Sequence, residues 1–386
     1  MSKRSRQDEI NKPLEKQFGL YDGSAVFIGA YIVMLLLQFL FYIVLTITDV
    51  PIGGEDGFDT TVAYACITVA INEIAFLSAP FFYSKIKSRK VYLGSGLAEK
   101  VKPVYLALAA AAGISTLFAF SPIATMVNAG FSALGFDSSV APSATNAGEL
   151  IAYIFVSAVL PAFCEEFLFR GHVARGFSGK GYLFGVLASS ALFAVMHGSP
   201  IQLVYQFFMG AVCSLLFIFT RSLWTSVIAH FISNLCVLFT DYGMTSAGID
   251  YVNLTGASVG IMLAVSVAGV GILIGLMYLI YRMAIKERGI EGEVRSVKGA
   301  APKAWNKRLT LIAETEEERA RRMEVQAYRA AQIQNASTPE VREMFMQRYE
   351  SEDKKASKTD NRALIFCFAF PLVIFVLNTV LGFVNK

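Results

Sequence analysis

ELIAYIFVSAVLPAFCEEFLFRGHVAR, residues 149–175, is long and apolar enough to cross a bilayer, yet between its charged ends it holds two adjacent glutamates, an arginine and a histidine. One helical crossing needs roughly 20 predominantly apolar residues. Titratable groups are costly in hydrocarbon and rare there, so a cluster inside such a run marks a functional site. The same stretch therefore argues for a membrane helix and for chemistry within it.

The rest of the chain agrees with a membrane setting. Of its 386 residues 55% are hydrophobic and 17% charged, and the mean hydropathy is +0.52. A soluble domain is more polar. Apolar runs predict spanning helices at about 25–47, 61–83, 103–126, 149–175, 181–198, 201–220, 224–240, 257–283 and 363–383. The expected fold is all-α, a polytopic bundle of about eight or nine spanning helices. The fifth and sixth are short and close together, which allows tilt or partial re-entry. The first run follows a polar arm and is too long for a signal-peptide core, so it reads as a retained helix.

Charge gives the expected orientation. Lys3, Arg4, Arg6, Lys12 and Lys16 precede the first helix. Lys85, Lys87, Arg89, Lys90, Lys100 and Lys102 fill the second connection, Arg175 and Lys180 the fourth, and Arg221 the sixth. The alternate connections carry Asp49, Glu55, Asp56 and Asp59, and later Asp241 and Asp250. This alternation follows the positive-inside rule. It predicts a multi-pass cell-membrane protein with a cytoplasmic N-terminus and, for nine crossings, an external C-terminus.

Residues 1–24 form a cytoplasmic arm in this reading, 25–148 the N-terminal transmembrane helices, 149–240 a catalytic core and 241–284 a further transmembrane helix. Residues 285–362 form a charged cytoplasmic helical insertion, and 363–386 the C-terminal transmembrane helix. In the insertion, Thr315 and Glu318 have capping-box spacing. Thr338-Pro339 reads as an N-cap with proline at the first helical position. Two helices are expected there, read most simply as a solvated hairpin, with a partner-binding or membrane-surface role as the alternative.

Several functions are disfavoured. The net charge of +4 is small, and the basic residues border membrane segments without forming a nucleic-acid stripe. Cys66, Cys164, Cys213, Cys236 and Cys367 lie in apolar stretches without CxxC spacing. That spacing argues against a disulfide framework and a thiolate zinc site. No internal repeat suggests an inverted-repeat transporter.

The chemistry concentrates in three motifs. Adjacent helical residues point about 100° apart, so Glu165 and Glu166 face different environments. Glu166 and Arg170 share a face in the favourable acid-before-base order. Arg170 is expected to hold Glu166 ionised, leaving Glu165 as a general base or acid able to take a proton from water. Phe193 and His197 share a face, as do His230 and Asn234. His197 can polarise a water beside Glu165, while His230 and Asn234 can donate to an oxyanion. Pro161, four residues before Glu165, is expected to kink its helix. His172 reads as a solvated residue at the cytoplasmic edge. Glu73 and Asn72 are further intramembrane polar groups with no assigned role.

Glu165-Glu166 with Arg170, then Phe193 with His197, then His230 with Asn234 match EExxxR, FxxxH and HxxxN in order. This set resembles the type II CAAX prenyl endopeptidase and bacteriocin-processing family, also called the Abi or CPBP family of intramembrane proteases. The resemblance covers about residues 149–240. It implies a helical core with its site in a membrane cavity and hydrolysis of a peptide bond near the bilayer. Glu165, His197, His230 and Asn234 would then be catalytic, with Glu166, Arg170 and Phe193 in support. The substrate would be a membrane-anchored or membrane-inserted peptide or protein. Eukaryotic members remove three residues from prenylated CAAX proteins, and bacterial members act in bacteriocin immunity or peptide-signal maturation. No cofactor is expected. The zinc alternative would use Glu165, His197 and His230, although HExxH is absent and asparagine is a poor zinc ligand. Rival readings are a transporter using these groups as a proton relay, a non-catalytic immunity or scaffold protein, and a thiol protease using Cys164.

The motifs impose one geometric demand. Hydropathy sets Glu165 and His197 near opposite ends of successive helices. They meet only if the fourth helix continues to about Arg175 and the fifth is short or tilted.

Overall fold

In hydrocarbon every backbone polar group needs a protein partner, and a helix supplies these within one segment. The computed structural model describes residues 18–52, 57–87, 94–136, 142–248 and 256–384, and among these it contains helices and no strand. Helix α1 spans Leu20–Ile47, α2 Val62–Ile86, α3 Pro103–Ala133 and α4 Ala147–Lys180. Helix α5 spans Tyr182–Met196, α6 Leu203–Thr220, α7 Leu223–Ser246 and α8 Gly256–Glu287. Then come α9 Glu291–Ser296, α10 Pro302–Ala313, α11 Glu316–Gln334 and α12 Pro339–Val384. Eight of these are long and apolar enough to cross a membrane, so the protein is a polytopic helical bundle.

Helix starts follow capping chemistry. Asp22 Oδ2 accepts from the Gly19 amide at 2.9 Å, while its Oδ1 accepts from Tyr83 of α2 at 2.6 Å. Thr61 caps α2, and Asn146 caps α4 by accepting from the Glu149 amide. Proline opens α3 at a position where its missing N–H costs nothing.

Helix α4 is the central element. Helices α2 and α7 pack on its 160–168 segment, and α1 and α5 on its 169–174 segment. One apolar cluster joins α3, α6, α8 and α10. A second joins α1, α2, α4, α5 and α12. Large apolar side chains such as Phe39, Ile47, Val267, Ile274 and Ile365 stay exposed on the outside, as expected where lipid is the solvent.

Close helix approach relies on small residues, as is usual for membrane helices. At the α3–α7 crossing, a Cβ on Gly113 would stand 2.2 Å from the Ala229 carbonyl oxygen. At the contact of α1 with the end of α4, a Cβ on Gly176 would stand 2.8 Å from both the Gly19 oxygen and the Gly23 Cα.

Two elements refine the sequence expectations. Helix α5 has 15 residues, about 22 Å at 1.5 Å per residue. That falls short of a hydrocarbon core about 30 Å thick, so α5 alone does not span it. The expected break between insertion and last helix is absent. Helix α12 runs 46 residues without interruption, because no glycine or proline occurs between Pro339 and Pro371 to stop it. Its first half pairs with α11 through Arg329–Asp353 at 3.2 Å and Arg329 stacked over Tyr349. Its second half packs on α1, with Cys367 buried and Phe370 against Tyr31.

The insertion is docked against the bundle. Asn306 of α10 accepts from the Leu183 amide at the start of α5. Arg221 donates to the Ile312 and Glu314 carbonyls at the end of α10. The predicted Thr338 cap is present, accepting from the Val341 amide. The Glu318 side chain of the other expected cap lies outside the described residues. So do residues 1–17 of the N-terminal arm, Glu55, Asp56, Arg89, Lys90 and Asp250.

Gly113→Val is expected to destabilise the protein by about 1–3 kcal/mol, the usual range for overpacking. Gly130→Ala, in α3 with nothing within 4 Å of the added methyl, should be neutral or stabilising by up to about 1 kcal/mol. Thermal unfolding of the two variants in detergent, side by side, tests the contrast.

Candidate active site

Helix α4 is irregular on both sides of its glutamate pair. Residues Ile154–Val159 and Phe169–Ala174 each form a π-helical turn around the α-helical Leu160–Leu168. Pro161 explains the first of them. It has no N–H to give to the carbonyl four residues back, that of Ser157, and its ring clashes there. Ser157 O accepts instead from Asn234 Nδ2 of α7, at 3.1 Å. The proline expected to kink the helix thus frees a carbonyl that orients a motif side chain.

The second motif residue pair is held by one oxygen. Glu166 Oε1 accepts from Arg170 Nη1 at 2.7 Å and lies 2.8 Å from His230 Nδ1. Arg170, Glu166 and His230 are all at most 2% exposed. The Glu166–Arg170 pair is the one expected from spacing, and the tie to His230 was not anticipated. A carboxylate only accepts, so His230 Nδ1 carries the proton toward Glu166. Its Nε2 then faces Glu165, 3.8 Å from Oε2. Glu165 is 7% exposed, and its Oε2 has no hydrogen-bond partner in the protein.

His197 follows the last residue of α5 and lies beside the same group. Its Nδ1 is 2.7 Å from the Phe193 carbonyl, one of the acceptors a helix C-terminus leaves unsatisfied. That carbonyl can only accept, so Nδ1 bears the proton and a neutral ring offers Nε2 as an acceptor. The Phe193 ring links the motifs. Arg170 stacks over it at 4.6 Å, and its centroid lies 4.9 Å from that of His197 and 5.9 Å from that of His230. His197, Glu165, His230 and Arg170 are electrostatic neighbours. The two conditions for bringing Glu165 and His197 together are met, since α4 continues past Arg175 and α5 is short.

His172 requires a correction. It is fully buried, with Nδ1 2.7 Å from the Phe167 carbonyl and its ring against Phe18 and Phe167. The residue is not solvated because α4 extends beyond it. The 94–99 loop and α1 also cover it: Gly171 lies against Ser95, and Gly23 against the His172 carbonyl.

Glu73 of α2 is a residue the motifs do not reveal. It is 3% exposed, its Oε2 has no protein hydrogen-bond partner, and it is an electrostatic neighbour of Glu165 and Cys164. The only sequence signal was its position within an apolar run. Asn72 turns elsewhere, bonded to Gln38 of α1 at 2.7 Å.

Among the described residues no three His, Cys, Asp or Glu side chains converge to hold an ion. The zinc alternative would use Glu165 with the Nε2 atoms of His197 and His230, whose Nδ1 atoms face the Phe193 carbonyl and Glu166.

Residues 147–236 match the family model described as Type II CAAX prenyl endopeptidase Rce1-like. The matched segment contains all three motifs and agrees with the resemblance read from their spacing. No curated protein and no solved structure matches the chain.

Removing one partner of a buried ion pair strands the other charge. Arg170→Leu should cost about 3–5 kcal/mol, and Glu166→Gln combined with Arg170→Met should regain most of that loss. Thermal unfolding of both variants checks this, and equal losses would show that a stranded Glu166 charge is not the cause of the destabilisation.

Proposed function

We propose that the protein is an intramembrane endopeptidase that hydrolyses a peptide bond of a membrane-anchored or membrane-inserted substrate. The observation that carries the reading is the convergence at His230, which stands between Glu166 and Glu165 with His197 across the Phe193 ring. The family match over the same segment supports a peptidase of the CAAX type.

The mechanism starts from proton positions. Glu165, as carboxylate, takes a proton from a water that His197 Nε2 orients by accepting its other hydrogen. The resulting hydroxide attacks the peptide carbonyl. Asn234 keeps one N–H on Ser157 O and has a second to donate to the oxyanion. His230 joins it as donor when it carries protons on both nitrogens, Glu166 accepting one of them. Glu165 then returns its proton to the departing amine as the C–N bond breaks. Glu166 and Arg170 act by holding His230. No step passes through a metal, and activity is expected to survive exhaustive metal removal; loss restored by zinc would overturn that.

The basic connections are assigned to the cytoplasm, which sets the N-terminal arm and the insertion on that side. A proton-relay transporter is the rival class. It predicts substrate-dependent proton flux in vesicles without product peptide.

Glu165→Gln is expected to abolish cleavage while Cys164→Ala stays active, read by mass spectrometry of membrane and secreted peptides. An identical peptide population in wild type and Glu165→Gln cells across growth conditions would defeat the protease reading.

Asn234→Ala should lower kcat by about 10²–10³, the loss typical of one oxyanion donor. Pro161→Ala restores an N–H for Ser157 O and should lower kcat in the same direction with KM little changed. An undiminished kcat in Asn234→Ala would remove the asparagine from the mechanism.

A further inference from the structure

A cavity with both charged and apolar walls lies away from the glutamate pair, at the basic ends of α4 and α6. Its volume is about 170 Å³. Arg175 and Arg221 line it with Ser178, Tyr182 and Thr315, and Val186, Phe217 and Ile218 form an apolar wall. Gly94 and Gly96 of the 94–99 loop close one side, and Ala313 at the end of α10 lies over another. Glu99 is the acidic lining residue, and it is exposed at the rim.

Three features make this a built site. The loop is strapped down, with Gly96 O accepting from the Leu223 amide, Leu97 O from Trp224 Nε1 and Glu99 O from Ser222 Oγ. A Cβ on Gly94 would stand 2.2 Å from the Arg175 guanidinium carbon, so the glycine lets backbone lie directly on that cation. Arg221 adopts φ +60°, a left-handed conformation that glycine enters at no cost and other residues rarely use. Arginine at this position is explained by its side chain, which reaches both the α10 carbonyls and the cavity.

Two arginines, Arg175 and Arg221, line the cavity against the exposed Glu99. Arg288 lies close enough to Arg221 to feel its charge, and burial together with Arg221 pushes its pKa down to about 10. Its Nη2 donates to Phe219 O, while Nη1 is buried without a hydrogen-bond partner. Arg175 is also stacked on Phe18. Arginines, hydroxyls and backbone around a small cavity suit a phosphate, whose oxygens take paired N–H donors. Basic pockets between transmembrane helices at the cytoplasmic face are where anionic headgroups bind. The apolar wall suits the carbon next to a phosphodiester.

We propose that this cavity binds a phosphate-bearing anion, the headgroup of an anionic phospholipid, with α10 and the α10–α11 junction as its roof. Occupancy would give the insertion a role, since Arg221 holds that roof and lines the cavity at once. The proposal is independent of the protease reading, because its test measures binding and not cleavage.

The test uses the full chain, delipidated in detergent, with native mass spectrometry and thermal unfolding during titration with phosphatidylglycerol, phosphatidylcholine or inorganic phosphate. Phosphatidylglycerol should be retained and raise Tm, and phosphatidylcholine should do neither. Arg175→Gln is expected to weaken binding about five- to tenfold, the effect of one cation near an anionic surface. Ala313→Phe fills the cavity without removing charge, and should abolish the shift measured from that variant's own lipid-free Tm. An Arg175-dependent shift with inorganic phosphate and none with phosphatidylglycerol would support the anion site and assign it to free phosphate. Binding of phosphatidylglycerol by both variants as by wild type, or equal retention of phosphatidylcholine, would overturn the proposal.

Discussion

One carboxylate oxygen joins the three motif regions. Glu166 Oε1 accepts from Arg170 on its own helix and from His230 of α7, and Arg170 in turn stacks on Phe193 of α5. Charges this deep in a membrane protein are costly unless each finds a partner. A single ion pair would satisfy the coulombic need, but extending it to the imidazole also sets the ring's tautomer and direction. Glu165, one residue earlier and about 100° around the helix, is left outside this arrangement and faces the other nitrogen of the same ring. Two adjacent glutamates thus face different partners through helical geometry alone.

Irregular backbone does the remaining positioning. Helix α4 carries two π-helical turns, one on each side of the glutamates, and such turns are frequent at functional sites. The first coincides with the carbonyl that Pro161 cannot satisfy, and Asn234 takes that carbonyl. Helix α5 stops after 15 residues, so its C-terminal histidine ends within the bundle. The Phe193 carbonyl, unsatisfied because the helix ends, fixes the His197 ring. In both places an interrupted backbone hydrogen bond orients a motif side chain.

Much of this was legible in the sequence. Apolar run lengths predicted the helices, and the i,i+4 spacing of Glu166 and Arg170 predicted their ion pair. The motif order led to the family whose model matches residues 147–236. Hydropathy alone sets His172 at a solvated edge, because it ignores the 94–99 loop, which folds back from a distant part of the chain. Nothing near Glu73 in sequence indicates that α2 turns it toward Glu165 and Cys164 of α4. The continuous α12 was hidden by its change from polar to apolar around residue 360, which alters solvent and not helicity.

What the sequence by itself determined is what depends on periodicity and local chemistry: membrane helices, the Thr338 cap, the Glu166–Arg170 pair and the motif residues. Only the tertiary structure decided that His230 bridges the two glutamates, that Asn234 answers to Ser157, and that Arg175 and Arg221 share a cavity. The physical reason is range. Helical spacing acts over four residues, whereas these contacts join positions 64, 77 and 46 residues apart, and their geometry exists only once the helices have packed.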